Sequence, residues 1–166
     1  ADALRTYILF MGEYSLESPW NENGIKGVSR FLDRVYNYKD KLNNLVGYSK
    51  ELETMMHKTI KKVTNDIETM KFNTAISSLM ILLNEFDKCE TITRDEYVTF
   101  LKLLNPIAPH ITEELNNMLG NKELFDDGWP EYIEEKTIDS MVQIACSVNG
   151  KLRATVSAPV NSTNEE

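Results

Sequence analysis

The sequence has 166 residues, of which 42% are hydrophobic and 27% charged, and its formal net charge is −8 at pH 7. This length and composition predict one globular domain with part of a second, and they exclude collagen-like, disordered and disulfide-scaffold proteins. The net acidity argues against a simple nucleic-acid-binding protein, because binding to phosphates needs a basic surface.

The sequence also predicts where the protein works. No apolar run approaches the roughly 20 residues of a membrane span, and the first residues lack the basic and then apolar order of a signal peptide. The 2 cysteines, Cys89 and Cys146, are far apart, as is usual for reduced thiols. We therefore expect a cytoplasmic protein without membrane contact.

The chain begins with the apolar spacing of helices. A short helix is predicted from Leu4, Tyr7, Ile8 and Met11, and residues 12–24 form a long connection. Apolar residues spaced by three and four then predict a helix of about six turns that ends at Gly47. Its buried face would consist of Ile25, Val28, Leu32, Val35, Tyr38, Leu42 and Leu45.

Four further helices are predicted. Two of them follow from apolar seams at helical spacing, over residues 52–70 and 72–86. Thr93 and Glu96 fit a capping box that begins the next helix. Two prolines then end that helix and open the last one, at Pro109. Helices joined by short loops, each with one apolar face, predict a mainly α protein built as an antiparallel bundle.

The pattern changes after residue 120. Residues 121–140 are acidic and irregular and are predicted to be a linker. Apolar and polar residues then alternate on both sides of residues 149–150, an Asn-Gly pair that is the strongest short-range signal of a β-hairpin. An isolated hairpin is only marginally stable in water. Residues 141–166 are therefore predicted to begin a truncated second domain, whose exposed edge could pair with another copy.

Positive charge is concentrated in the first half. Residues 1–83 carry 11 basic and 10 acidic side chains, whereas residues 84–166 carry 7 and 16. Two helices carry basic residues away from their apolar faces, namely Lys26, Arg30 and Arg34 on one, and Lys58, Lys61 and Lys62 on the next. Such stripes can hold a nucleic-acid backbone through its phosphates. Pairing within each helix, of Arg30 with Asp33 or of Lys62 with Asp66, is the alternative.

The sequence offers little catalytic chemistry. Neither His57 nor His110 has the spacing of a metal-ligand motif, and no phosphate-binding glycine loop or nucleophile elbow occurs. His110 is expected to satisfy backbone groups near a helix start. Glu113 and Glu114 point in different directions on a helix and are expected to be favourable charges near its N-terminus. We expect no metal ion and no catalytic residue.

Several stretches resemble leucyl-tRNA synthetases, in the part that follows the catalytic domain. They lie at residues 1–5, 20–24, 30–35, 72–77, 104–115 and 142–154. Within them, Arg-Phe-Leu-Asp-Arg and Val-Asn-Gly-Lys-Leu-Arg are similar to the leucyl enzymes in particular. The Pro-x-x-Pro-His string is shared more loosely with isoleucyl, valyl and methionyl enzymes.

This resemblance implies a division of the chain and a role for it. Residues 1–24 would connect to a catalytic domain, residues 25–120 would form an anticodon-binding helix bundle, and residues 141–166 would begin the C-terminal domain. The parent enzyme would attach leucine to tRNA(Leu) using ATP with Mg²⁺. The family's His-Ile-Gly-His and Lys-Met-Ser-Lys-Ser signatures do not occur here. The chain is therefore expected to hold no cofactor, to be inactive alone, and to bind tRNA(Leu) and the catalytic domain.

Two other functions are weighed against this one. A stand-alone acidic helical adaptor would bind protein partners through an apolar groove and would expose a large apolar patch. A small hydrolase is disfavoured, because the sequence shows no nucleophile–base arrangement.

Overall fold

A computed structural model of the chain describes residues 1–13, 15–17, 19–139, 141–148 and 151–159. Within these ranges the α-helices are α1 Asp2–Phe10, α2 Glu22–Asn37, α3 Glu53–Glu68, α4 Phe72–Phe86, α5 Arg94–Leu104 and α6 Pro109–Met118. Short 3₁₀ helices cover Tyr38–Lys41, Leu124–Asp126 and Glu134–Thr137. The strands are β1 Leu42–Asn43, β2 Ile92–Thr93, β3 Met141–Val148 and β4 Lys151–Pro159. The predicted mainly helical class is confirmed, and no helix in the described ranges is long and apolar enough to cross a membrane.

The helices share one hydrophobic core with α4 at its centre. This helix packs against α3, α1 and α5. Fully buried side chains come from α2 to α6, at positions that the apolar spacing predicts: Val35, Met56, Ile60, Val63, Ala75, Ile76, Leu79, Leu83, Phe86, Leu101, Leu104 and Leu115. The predicted faces of these five helices are therefore largely confirmed.

The first long helix is shorter than its apolar spacing predicts. α2 ends at Asn37 and continues only as a 3₁₀ turn. The chain then forms β1, which pairs in parallel with β2 just before α5. Leu45, which was predicted to be in the core, is exposed. Because the pairing partner of β1 is distant in sequence, local spacing carries no sign of it.

Met70 ends α3 instead of extending its apolar seam. Its φ of +58° is left-handed, the conformation that commonly closes a helix. The N–H of Lys71 donates to the carbonyl of Asp66 at 2.7 Å and completes the reversal. Met70 is therefore half exposed, contrary to the prediction.

α1 buries one aromatic ring against the start of α2. Tyr7 is buried, and its hydroxyl donates to the carbonyl of Asn21 at 2.6 Å. Gly24 is needed opposite this ring, because a Cβ at that position would lie 2.3 Å from Tyr7 Cε2. The predicted stripe on α1 is otherwise wrong, since Leu4 and Ile8 are about half exposed.

Two acidic side chains cap distant segments, which the sequence does not reveal. Asp2 accepts from the N–H of Ile111 at 2.7 Å and lies 2.7 Å from His110 Nδ1, so it caps the N-terminus of α6. Glu113 accepts from two N–H groups of the 3₁₀ turn at Leu124–Asp126, at 3.0 and 3.2 Å. The expectations for His110 and Glu113 are corrected accordingly, because each has a partner outside its own helix end.

The capping box predicted at the start of α5 is confirmed, and it also holds the connection before α3. Thr93 Oγ1 accepts from the N–H of Glu96 at 3.1 Å, and Glu96 accepts from the N–H of Thr93 at 2.7 Å. The same buried carboxylate accepts from the N–H and the hydroxyl of Ser49, both at 2.7 Å. One side chain therefore fixes two segments together.

The predicted strands after the linker are confirmed. β3 and β4 pair antiparallel, with Met141 opposite Pro159. The predicted turn at residues 149–150 lies outside the described residues.

Candidate nucleic-acid interface

The first basic set lies on the outward side of α2, opposite its buried face. Lys26 and Arg30 are exposed, and their spacing of four places them one helical turn apart. Among the described side chains neither forms an ion pair, and the alternative pairing of Arg30 with Asp33 is not found. These two charges are available to an anion.

Arg34, the third member of this set, is engaged within the protein. Its guanidinium donates to Asn84 Oδ1 at 2.8 Å and pairs with Asp87, at the end of α4. The hydroxyl of Tyr38 also donates to Asp87. Partial burial alone would raise the pKa of the Asp87 carboxyl, but the hydrogen bonds from Tyr38 and Arg34 outweigh burial and lower it. Arg34 therefore ties α2 to α4.

The lysines of α3 are all ion-paired. Lys62 pairs with the buried Asp66 of its own helix, which was the alternative that the sequence offered. Lys58 lies 2.5 Å from Asp139, and Lys61 lies 2.5 Å from Glu134. Both of these partners belong to the region predicted to be an acidic linker, so that region covers part of the basic face of α3.

Residues 129–139, here called the acidic segment, are attached to α3 by a few polar contacts. The indole N–H of Trp129 donates to Thr64 Oγ1 at 2.8 Å, and Lys136 lies 2.6 Å from Glu53. The 3₁₀ turn at Glu134–Thr137 is the part that packs on the helix. The acidic segment contains four acidic residues and one lysine, so its charge complements that of α3.

An open cavity of about 760 Å³ lies between α3, α4 and the acidic segment. Its wall includes the three α3 lysines, Ser78 and Ile81 of α4, and Tyr132. Lys61 Nζ lies 5.7 Å from the centre of the Tyr132 ring. The cavity thus combines cations with an aromatic face, a combination that suits phosphates and bases.

His57 connects α3 to the acidic segment through a hydrogen bond. The ring is buried in α3, stacks edge-on against Tyr48, and accepts at Nδ1 from the N–H of Ile133 at 3.2 Å. Burial lowers the pKa of His57, as does the charge of Lys136, while Glu53 opposes them. The contact with Ile133 needs the neutral ring, because a protonated imidazole has no acceptor.

Acid is expected to weaken this contact. Because the pKa of His57 is lower in the folded than in the unfolded state, the contribution is fully present above the unfolded pKa of about 6.5. It is lost as the pH falls through the lowered folded value. Urea unfolding between pH 7.5 and 5 should show a steeper loss of stability in the wild type than in His57→Gln. Equal slopes would contradict a neutral, accepting His57.

The remaining candidates for reactive chemistry are the thiol of Cys89 and clusters of metal-ligating side chains. Burial and the nearby Glu51 raise the pKa of the free thiol of Cys89, which disfavours a nucleophilic thiolate. In the part of the chain that is described, no group of three or more His, Cys, Asp or Glu residues could hold a metal ion.

Comparison with known proteins gives consistent matches. A family model described as the anticodon-binding domain of tRNA ligase matches residues 49–166. "Leucine--tRNA ligase" of Alkaliphilus oremlandii is 46% identical over 167 residues, which cover 100% of this chain and 21% of the relative. "Leucine--tRNA ligase" of Chlorobaculum tepidum is 44% identical over 173 residues, with the same coverage of 100% and 21%. The chain thus spans about a fifth of the length of these relatives.

A solved structure shares the fold over nearly the whole chain. It is the crystal structure of the ternary complex of Agrobacterium radiobacter K84 agnB2 LeuRS with tRNA and LeuAMS. The TM-score is 0.77 and the sequence identity 28%, over 99% of this chain and 24% of that one.

Proposed function

Because this chain belongs to the anticodon-binding domain family of tRNA ligases, and its resemblance to leucyl-tRNA synthetases is confirmed, we propose that it is the tRNA-binding part of a leucine–tRNA ligase. Such an enzyme attaches leucine to tRNA(Leu) in the cytoplasm, using ATP and Mg²⁺. The sequence carries neither catalytic signature of the family. We place the chemistry in the part of the ligase outside this chain and expect no aminoacylation from the chain alone.

The proposal also gives each region a place in the ligase. Residues 1–24 would lead from the catalytic domain, 25–120 would be the antiparallel anticodon-binding bundle, 121–140 a linker, and 141–166 the start of the C-terminal domain. A contact with the catalytic domain would cover the exposed side chains of α1. Pairing of two hairpin edges into a dimer is a separate prediction, which sedimentation of the purified chain tests.

The observation that carries the proposal is the open pair of charges on α2. Lys26 and Arg30 project from α2 without an ion-pair partner among the described side chains. Phosphate contacts of this kind position an RNA without reading its sequence. They suit a domain that supports a tRNA stem. Lys58, Lys61 and Lys62 are proposed as a second set of contacts, and Arg34 as a contact that also braces α4.

Replacing both Lys26 and Arg30 with alanine tests this role. We expect the affinity for a leucine tRNA transcript to fall roughly tenfold at low salt. The slope of the logarithm of the association constant against the logarithm of salt concentration should become shallower by about 2, because two phosphate contacts are lost. Stability should change by less than about 0.5 kcal/mol per site, as at other exposed positions. Filter binding and urea unfolding measure the two quantities.

A matched control removes the same charge elsewhere. Lys50 and Lys71 are also exposed and form no side-chain ion pair among the described residues. Replacing both with alanine should leave affinity within about twofold of the wild type, because only long-range charge is lost. If the two double variants bind equally, α2 is not the contact surface.

A further inference from the structure

We propose that the acidic segment, residues 129–139, competes with an RNA backbone for Lys58 and Lys61. This inference rests on the proposed function, since it concerns how the α3 lysines become available to tRNA. The carboxylates of Asp139 and Glu134 lie 2.5 Å from these ammonium groups. A phosphate oxygen would make the same charge-assisted contact. A carboxylate and a phosphate beside the same ammonium repel each other and share its single positive charge, so each occupant weakens the binding of the other.

The acidic segment is held weakly enough to be displaced. Its ion pairs with α3 are all partly exposed, and exposed pairs contribute little to stability. Its large apolar side chains are only partly buried and keep 38–64% of their surface exposed: Trp129, Tyr132, Ile133 and Ile138. The other contacts with α3 include one hydrogen bond each from Trp129 and Ile133, and the Lys61 ammonium 5.7 Å from the centre of the Tyr132 ring.

The two basic sets would then act in sequence. Lys26 and Arg30 are open and can meet RNA first. Lys58 and Lys61 exchange carboxylates for phosphates only when an RNA lies along α3. Lys62 differs, because its partner Asp66 is buried within the same helix and stays in place. A short or misplaced polyanion that reaches only α3 would have to displace the carboxylates without binding Lys26 and Arg30. The acidic segment therefore weakens the binding of such polyanions.

Neutralising the two carboxylates that contact the lysines provides the test. In Glu134→Gln/Asp139→Asn, affinity for a leucine tRNA transcript should rise roughly threefold to thirtyfold, because two exposed ion pairs no longer have to be broken. The matched control is Glu131→Gln/Glu135→Gln. It removes the same charge from residues of the acidic segment that form no ion pair among the described side chains. It should change affinity less than twofold, which corresponds to less than about 0.4 kcal/mol in binding free energy.

Trp129 reports the position of the acidic segment directly. In a Trp20→Phe background, saturating tRNA should shift Trp129 emission to longer wavelength, since displacement breaks its contact with Thr64 and exposes the partly buried indole to water. The Glu134→Gln/Asp139→Asn variant should show part of this shift without RNA. Circular dichroism checks that each variant is folded.

The outcomes separate this inference from the proposed function. If tRNA binding depends on Lys26 and Arg30 but neither affinity nor Trp129 emission responds to the acidic segment, the competition is refuted and the function stands. If Glu134→Gln/Asp139→Asn and Glu131→Gln/Glu135→Gln tighten binding equally, only net charge matters and the competition is refuted. If no folded variant binds tRNA, the proposed function fails and the inference fails with it.

Discussion

Leu79→Ala is expected to lower the free energy of unfolding by about 2–5 kcal/mol. The leucine is completely buried in α4, the helix that contacts α3, α1 and α5. Its removal leaves a cavity that three helices must collapse to fill. Because interiors are close-packed and relax only partly, the loss exceeds the transfer energy of the deleted atoms alone.

Ile81→Ala is the matched control on the same helix. Ile81 is 52% exposed, so its truncation should cost less than about 0.5 kcal/mol. Urea unfolding of both variants with equal m-values gives the comparison. Equal costs at the two positions would mean that α4 presents a different face to the core.

Glu96→Ala is expected to cost about 3 kcal/mol or more. The buried carboxylate accepts hydrogen bonds from Thr93 N, Ser49 N and Ser49 Oγ. Truncation removes the capping box and leaves these donors without an acceptor. Where water cannot reach it, each unsatisfied donor lowers the free energy of unfolding by about 1–3 kcal/mol. The connection before α3 would also lose its attachment to α5.

An exposed glutamate gives the reference for this change. Glu114 lies on α6 and is exposed, and its side chain forms no ion pair with the described residues. Glu114→Ala should alter stability by less than about 0.5 kcal/mol. Hydrogen exchange at Ser49 should accelerate in Glu96→Ala and stay unchanged in Glu114→Ala. Unchanged exchange in both would show that Glu96 does not hold this connection.

The helices and their buried faces are predictable from the sequence because their cause is local. Ile60 and Leu79 follow the spacing of their neighbours, and the Thr93–Glu96 box needs only a four-residue pattern. The end of α2 and the cap supplied by Asp2 are not predictable in this way. Each depends on a partner far along the chain, β2 in one case and α6 in the other.

The ion pairs of the candidate site are likewise predictable from the sequence only where the partner is local. The sequence correctly offers intrahelical pairing for Lys62, because Asp66 is one turn away. It gives no sign that Lys58 and Lys61 pair with residues more than seventy positions later. Their pairing depends on where the acidic segment folds back. Lys26 and Arg30, by contrast, stay exposed because their helix buries only the opposite face.

The measurement that tests the account most directly is the salt dependence of binding between this chain and a leucine tRNA transcript. Two to four phosphate contacts predict that the logarithm of the association constant falls linearly with the logarithm of salt concentration, with a slope of about −2 to −4. Folded protein whose affinity stays constant from 50 to 200 mM salt, over which the Debye length falls about twofold, or that does not bind at all, would contradict an RNA-supporting helical domain.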